Sequence, residues 1–238
     1  MSTKLSVNIN KVALIRNARK GNLPDLIKFA QDCERYGADG ITVHPRPDQR
    51  HIRYEDLYRL KGSNTTELNI EGYPSEIFLE HIKEVRPHQC TLVPDPPGVL
   101  TSDRGWDIAS NTSLLVDVIG RLHSYGVRVS LFVNDESKSI EAAKEVGADR
   151  IELYTGDYAK MYGADPKKAV KGHVKCSIMA HELGLGINAG HDLNLENLAY
   201  FAKSLPYLHE VSIGHALISD ALYYGISNVI GMYQNLLK

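Results

Sequence analysis

Cysteine is scarce in this chain of 238 residues, and the three present, Cys33, Cys90 and Cys176, lie far apart. Such spacing argues against a disulfide-stapled scaffold and offers no close cysteine pair for zinc or redox chemistry, which suits a reducing cytosol. No stretch reaches the ~18 consecutive apolar residues of a membrane-spanning helix. The segment Met1 to Asn8 has no apolar core of signal-peptide length. A cytoplasmic protein without a membrane anchor is therefore expected. Excess positive charge is missing too: the formal net charge is −2. Nothing in that balance gathers nucleic acid, although local basic clusters can still hold small phosphates. Long like-charge runs and low-complexity segments are also absent, so the chain does not read as disordered.

What is present is an alternation. Short β-branched runs recur, with amphipathic stretches of helical length between them. The candidate strands are residues 5–10, 40–44, 67–71, 89–93, 128–133, 150–154, 185–188 and 210–213. Candidate helices fill residues 24–36, 54–60, 75–85, 112–125, 136–146, 166–183, 195–203 and 216–237. Pro24 and Pro166 read as first-turn prolines, and Gly37, Gly126, Gly147 and Gly184 as helix stops. Tyr36 to Asp39 and Val146 to Asp149 repeat one helix-to-strand phrase. Eight such units fit either a barrel or a doubly wound sheet, and about 250 residues is typical of one (β/α)8 barrel. No glycine-rich loop follows the first strand, and Gly184, Gly186 and Gly190 have the wrong spacing for a dinucleotide loop. A single-domain α/β protein, a (β/α)8 TIM barrel over residues 1–238, is expected.

In such a barrel the chemistry collects at the C-terminal strand ends and the loops after them. Strand one ends in Asn8 and Asn10, strand two in His44 with Arg46 and His51 beyond, and strand three in Asn69 and Glu71. Strand four has Thr101 in its following loop, strand six ends in Glu152 and Thr155, strand seven in Gly190 and His191, and strand eight in Gly214 and His215. Converging His and Glu side chains suit general acid and base catalysis on carbonyl substrates. They also suit a metal site, although no compact motif such as His-Glu-x-x-His is present. Glycines at the two late strand ends either cradle a phosphate or simply make tight turns. A second anion site is placed at Arg16, Arg19 and Lys20, or at Arg46 and Arg50 beside His51. The loop from Asp95 to Ile108 reads as a lid.

These phrases resemble one family, the pyridoxine 5′-phosphate synthases of vitamin B6 biosynthesis. The matching segments are residues 7–10, 16–19, 37–44, 50–52, 69–71, 129–132, 188–191 and 213–216, in order along nearly the whole chain. The resemblance implies a TIM barrel that condenses 1-deoxy-D-xylulose 5-phosphate with 3-amino-2-oxopropyl phosphate. The products are pyridoxine 5′-phosphate, phosphate and water, with no metal or organic cofactor. It implies His44 and Glu71 as proton acceptors and His191 as a proton donor. Asn8, Arg19, Gly214 and His215 would hold the amino ketone phosphate, Arg46, His51 and Thr101 the sugar phosphate, with Glu152 assisting. It further implies phosphorylated small-molecule partners and a homo-octamer.

Two positions depart from the family pattern. Asn10 and Lys11 stand where an Asp-His pair is common, and Asp192 where Gly is common. Lys11 then reads as a phosphate-attracting ammonium and Asp192 as a main-chain donor at the substrate rim. The other readings are a metal-dependent hydrolase or phosphosugar isomerase on the same barrel, and a non-catalytic phosphate-ligand sensor.

Overall fold

The computed structural model describes residues 2–19, 21–95 and 104–238. Eight parallel strands close on themselves in chain order: β1 (Lys4–Asn8), β2 (Gly40–Val43), β3 (Glu67–Gly72), β4 (Gln89–Leu92), β5 (Arg128–Val133), β6 (Arg150–Tyr154), β7 (Gly186–Gly190) and β8 (Leu208–Ile213). The closing ladder pairs Lys4 with Glu210 and Val7 with Ile213. The helices that wrap it are α1 (Asn10–Asn17), α2 (Leu26–Arg35), α3 (Tyr54–Ser63), α4 (Glu76–Val85), α5 (Thr112–Ser124), α6 (Ser137–Glu145), α7 (Gly156–Tyr162), α8 (Pro166–Glu182), α9 (Leu198–Ser204), α10 (His215–Tyr224) and α11 (Ile226–Leu236). The (β/α)8 expectation holds.

Alternation along each strand splits its side chains between two environments. Val7, Ile41, Val43, Leu68 and Ile70 are buried in the hydrophobic core. On the alternate positions a polar belt crosses neighbouring strands. Ser6 and Thr42 hydroxyls meet at 2.7 Å, the Asn69 amide donates to Thr42 Oγ1 at 3.4 Å, and Thr91 donates to Asn69 at 3.0 Å. Many TIM barrels fill this space with bulky aliphatics. Here the apolar contribution to stability rests mainly on the sheet-to-helix layer.

Helix starts and stops follow local chemistry. Asp25 caps α2, its Oδ1 accepting from Ile27 and Lys28 N–H at 2.9 and 3.0 Å, a contact worth about 1 kcal/mol. Leu26, Ala30 and Cys33 form the buried stripe of that helix. Pro24 thus precedes the cap and does not occupy the first turn, whereas Pro166 does open α8. Gly37, Gly126, Gly147 and Gly184 all take positive φ just past helix ends, as expected. Gly225, at φ 77°, divides the long closing helix expected over 216–237 into α10 and α11. A β-carbon there would make that left-handed turn costly.

Four side chains latch the N-terminal end of the barrel. Asp39 accepts the N–H of Leu5 at 2.9 Å, His88 Nδ1 that of Leu68 at 3.0 Å, Asp149 that of Val129 at 2.8 Å, and His209 Nδ1 that of Ile187 at 3.1 Å. Each donor lies on an odd-numbered strand. Each acceptor stands just before or within the next even one. Because Nδ1 accepts, both imidazoles carry their proton on Nε2 when neutral.

Candidate active site

At the C-terminal ends of the strands a cavity of about 500 Å³ opens, lined by residues from all eight βα units. Asn8, Asn10 and Lys11 come from the β1 side, His44, Arg46, Arg50 and His51 from β2 and its loop, and Glu71 from β3. Glu152 comes from β6, His191 and Asp192 from β7, and Gly214 and His215 from β8. Period-two alternation sends Glu71 inward with Asn69, two residues earlier on the same strand.

Hydrogen bonds set the first arc of this ring. The chain turns after β1 because Asn8 Oδ1 accepts the Asn10 N–H at 3.1 Å, which starts α1 two residues after the strand ends. The side chain of Asn10 then accepts the backbone N–H of His44 at 2.9 Å. Asn10 therefore helps set the position of the imidazole, although it also lines the cavity. His44 Nδ1 lies 3.9 Å from Glu71 Oε2, to which Asn8 Nδ2 donates at 3.5 Å.

Burial governs the charges at the centre. Desolvation pushes the Glu71 carboxyl up to about 8 against the opposing pull of Arg46, with Asp95 and Glu210 adding to the rise. Desolvation likewise raises Glu152, helped by Glu71 and Glu210. The same effect lowers His44, with Arg46 and His51 reinforcing it, and lowers His191 despite the counter-influence of Asp192. At neutral pH the site is therefore mostly uncharged at its heart, and the close approach of His44 to Glu71 is not a standing ion pair.

The flank beside β2 carries charge instead. Arg46 is buried and salt-bridged to Asp95 at 3.2 Å. His51 is lowered to about 4, mainly by burial and then by Arg46 and Arg50. Its Nδ1 accepts the N–H of Ile52 at 2.9 Å, so the neutral ring carries its proton on Nε2. Lys11 is exposed at the edge of this group. On the opposite flank Gly214 immediately precedes α10. A Cβ on Gly214 would come within 3.0 Å of Asn8, so only glycine lets β8 and β1 approach there undisturbed.

His191 stands between these flanks with its ring 5.3 Å from Phe132 and 5.6 Å from Tyr154. Among the described residues, no three His, Cys, Asp or Glu side chains are placed to share a metal ion.

Some sequence expectations fall elsewhere. Arg19 is exposed beyond α1 and lines neither this cavity nor an adjoining one of about 260 Å³ on the other side of Arg46. Arg16 is no anion ligand in this structure. It is buried and paired with Asp56 at 2.6 Å. Thr101, Lys20 and most of the expected lid, residues 96–103, lie outside the described residues.

Sequence reasoning overlooked Phe132, Ser212 and Asp95. The first two line the cavity from inside strands, where nothing but alternation marks them. The third is marked by its ion pair with Arg46, a partner that folding supplies.

Known proteins bear on this arrangement. Residues 5–238 match the family model described as "Pyridoxal phosphate biosynthesis protein PdxJ". A protein of Porphyromonas gingivalis named pyridoxine 5′-phosphate synthase is 58% identical over 98% of this chain and 98% of its own. A Bacteroides fragilis protein of the same name is 56% identical over 99% of this chain and 100% of its own. Among solved structures, tryptophan synthase from M. tuberculosis superposes with a TM-score of 0.67 at 10% identity, covering 100% of this chain and 93% of that one. That likeness concerns the barrel alone. Sequence identity sustained across nearly the whole length, over a barrel that gathers His44, Glu71, Glu152 and His191 at one cavity, places this chain in the PdxJ family of pyridoxine 5′-phosphate synthases.

Proposed function

We propose that the protein condenses 1-deoxy-D-xylulose 5-phosphate with 3-amino-2-oxopropyl phosphate to give pyridoxine 5′-phosphate, phosphate and water. The observation that carries the reading is one cavity with acid and base groups at its centre and a phosphate station on either flank. Gly214 and His215, at the start of α10, offer backbone N–H groups and a helix dipole to the amino ketone phosphate, with Asn8 beside them. Arg46, His51 and Lys11 face the sugar phosphate, joined by Thr101 from outside the described residues. Arg19 has no place in this cavity and would need to reach it by another route. Asp192 contributes its main chain rather than its charge.

Imine formation, enolisation, phosphate loss, hydration and ring closure all move protons, so several modest acids and bases serve better than one strong nucleophile. Substrate charge would tune them. An ammonium arriving beside Glu71 favours its carboxylate, which then takes the proton and frees the amine to attack the sugar ketone. Bound phosphate favours protonated His191, readying it as a donor. Neutral His44 stands as the second acceptor, and Glu152, kept protonated by burial, donates a hydrogen bond to developing negative charge.

The direct test incubates the purified protein with both substrates and follows pyridoxine 5′-phosphate by absorbance and mass spectrometry. Activity is expected to survive exhaustive chelation. Loss on chelation and recovery with a divalent cation would favour the metal-dependent reading, and failure to form product would end the assignment.

We also assign the chain to the cytoplasm and to a homo-octamer. Among the described residues, no helix is long and apolar enough to cross a membrane. Leu222, Tyr223 and Tyr224 of α10 are 74%, 84% and 54% exposed, an apolar edge suited to subunit contact. Sedimentation velocity measures that mass.

A further inference from the structure

His191 has a backbone that few side-chain-bearing residues adopt: its φ is 91°, in the left-handed region that favours glycine. Such a conformation persists only where neighbouring groups hold it. The residue before it, Gly190, is closely confined. A Cβ there would lie 2.7 Å from Glu152 Oε1 and 2.9 Å from the Ser212 carbonyl, so the chain is pressed between β6 and β8.

The carbonyl of Gly190, which belongs to the peptide leading into His191, accepts a hydrogen bond from the hydroxyl of Thr155. Thr155 is fully buried at the end of β6 and lines neither cavity. Its neighbour Tyr154 is anchored in turn. The Tyr154 carbonyl accepts from Nε2 of buried His173 at 2.8 Å, and its hydroxyl lies 2.1 Å from where a Cβ of Gly156 would stand. The Tyr154 ring lies edge-on to His191, with Phe132 as the other aromatic neighbour of that imidazole.

We propose that Thr155 is a positioning residue for His191: its hydroxyl ties the Gly190 carbonyl to the end of β6 and so holds the imidazole toward the cavity between Phe132 and Tyr154. The inference rests on the reading of His191 as a proton donor. Without this bond the Gly190–His191 peptide can rotate, His191 can relax toward negative φ, and its ring leaves the reacting atoms. A displacement of about 1 Å at a catalytic group can lower a rate by about 100-fold.

The test compares Thr155→Val, which keeps the shape and removes the donor, with Thr155→Ser, which keeps the donor. Each is also made in a His191→Asn background. Thr155→Val is expected to lower kcat by about tenfold to 100-fold, with KM for both substrates within about twofold of the parent. Thr155→Ser should restore kcat to within about threefold, and Thr155→Val should add no further loss once His191 is Asn.

Parental kcat in Thr155→Val overturns the inference. So does equal impairment of the Ser and Val variants, which would point to packing by the methyl group, or an undiminished effect in the His191→Asn background. Near-native turnover of His191→Asn alone would instead overturn the donor reading on which the inference stands, so the two failures are distinguishable.

Discussion

Replacing Glu71 with Gln is expected to lower turnover by about 10²- to 10⁴-fold, the usual contribution of a positioned general base, while the barrel stays folded. Gln keeps an oxygen able to accept from Asn8 but cannot take a proton. The pH profile identifies the group. Glu71 must be ionised to accept a proton, and burial raises it to about 8 in the free protein. Parental kcat/KM should therefore climb as pH rises to about 8, and the Glu71→Gln profile should be flat across that limb.

Stability should move the other way. The unfolded chain ionises this carboxyl from near 4.5, whereas the folded chain holds its proton to about 8, so burial of Glu71 costs the native state progressively more as pH rises through that window. Gln removes the cost, and the variant should melt no lower than the parent at pH 8. An acid limb near 4.5, or near-parental turnover in the variant, would remove Glu71 from the proposed mechanism.

Truncation of Asp56 to Ala is expected to destabilise the protein by about 3–5 kcal/mol, because it leaves the Arg16 guanidinium buried without its partner. The pair is bidentate, at 2.6 and 2.9 Å, and both side chains are almost fully buried. Asp56 also accepts the N–H of Arg53 at 2.8 Å at the start of α3. Arg16 donates to the carbonyl of His51 at 3.1 Å, and Asn17 donates to the same carbonyl at 2.7 Å. Through these contacts α1 holds the loop that carries Arg46, Arg50 and His51.

Denaturant unfolding measures the loss. A second variant, Arg16→Met with Asp56→Leu, should recover most of the stability, because an apolar pair of similar volume tolerates the site better than a lone charge. That stable double variant should still bind the sugar phosphate more weakly, since its loop has lost the Arg16 bond to His51. Parental stability in Asp56→Ala would show that the pair contributes nothing net, and parental KM in the double variant would separate the loop from α1.

All eight strands were legible, because β-branched runs bounded by turn residues mark buried parallel strands. Errors collect where the signal depends on neighbours. The first strand stops at Asn8 and not at Asn10, since the Asn8 side chain turns the chain into an α1 that its weak amphipathicity conceals. Helix α7 spans only seven residues, too few for a helical period to repeat clearly. The polar residues that line the cavity were legible as strand-end positions. Their environment was not: the high carboxyl of Glu71 and the neutral His44 arise from enclosure by distant segments. Arg16 is the sharpest case, because nothing local distinguishes a solvated arginine from one buried against a carboxylate forty residues away.

The latches at the N-terminal end of the barrel make the molecule divisible. Asp39 and His88 hold β1 and β3, while Asp149 and His209 hold β5 and β7, so the order acid, imidazole repeats once. None of the four bonds spans the exposed turn at Gly126, between α5 and β5. A chain severed there is expected to give two fragments of four strands, each keeping both of its latches, that rejoin through the β4–β5 and β8–β1 ladders. His44 and Glu71 travel with one fragment, Glu152 and His191 with the other. Neither half carries the whole acid and base set, and turnover becomes a report of their reassembly.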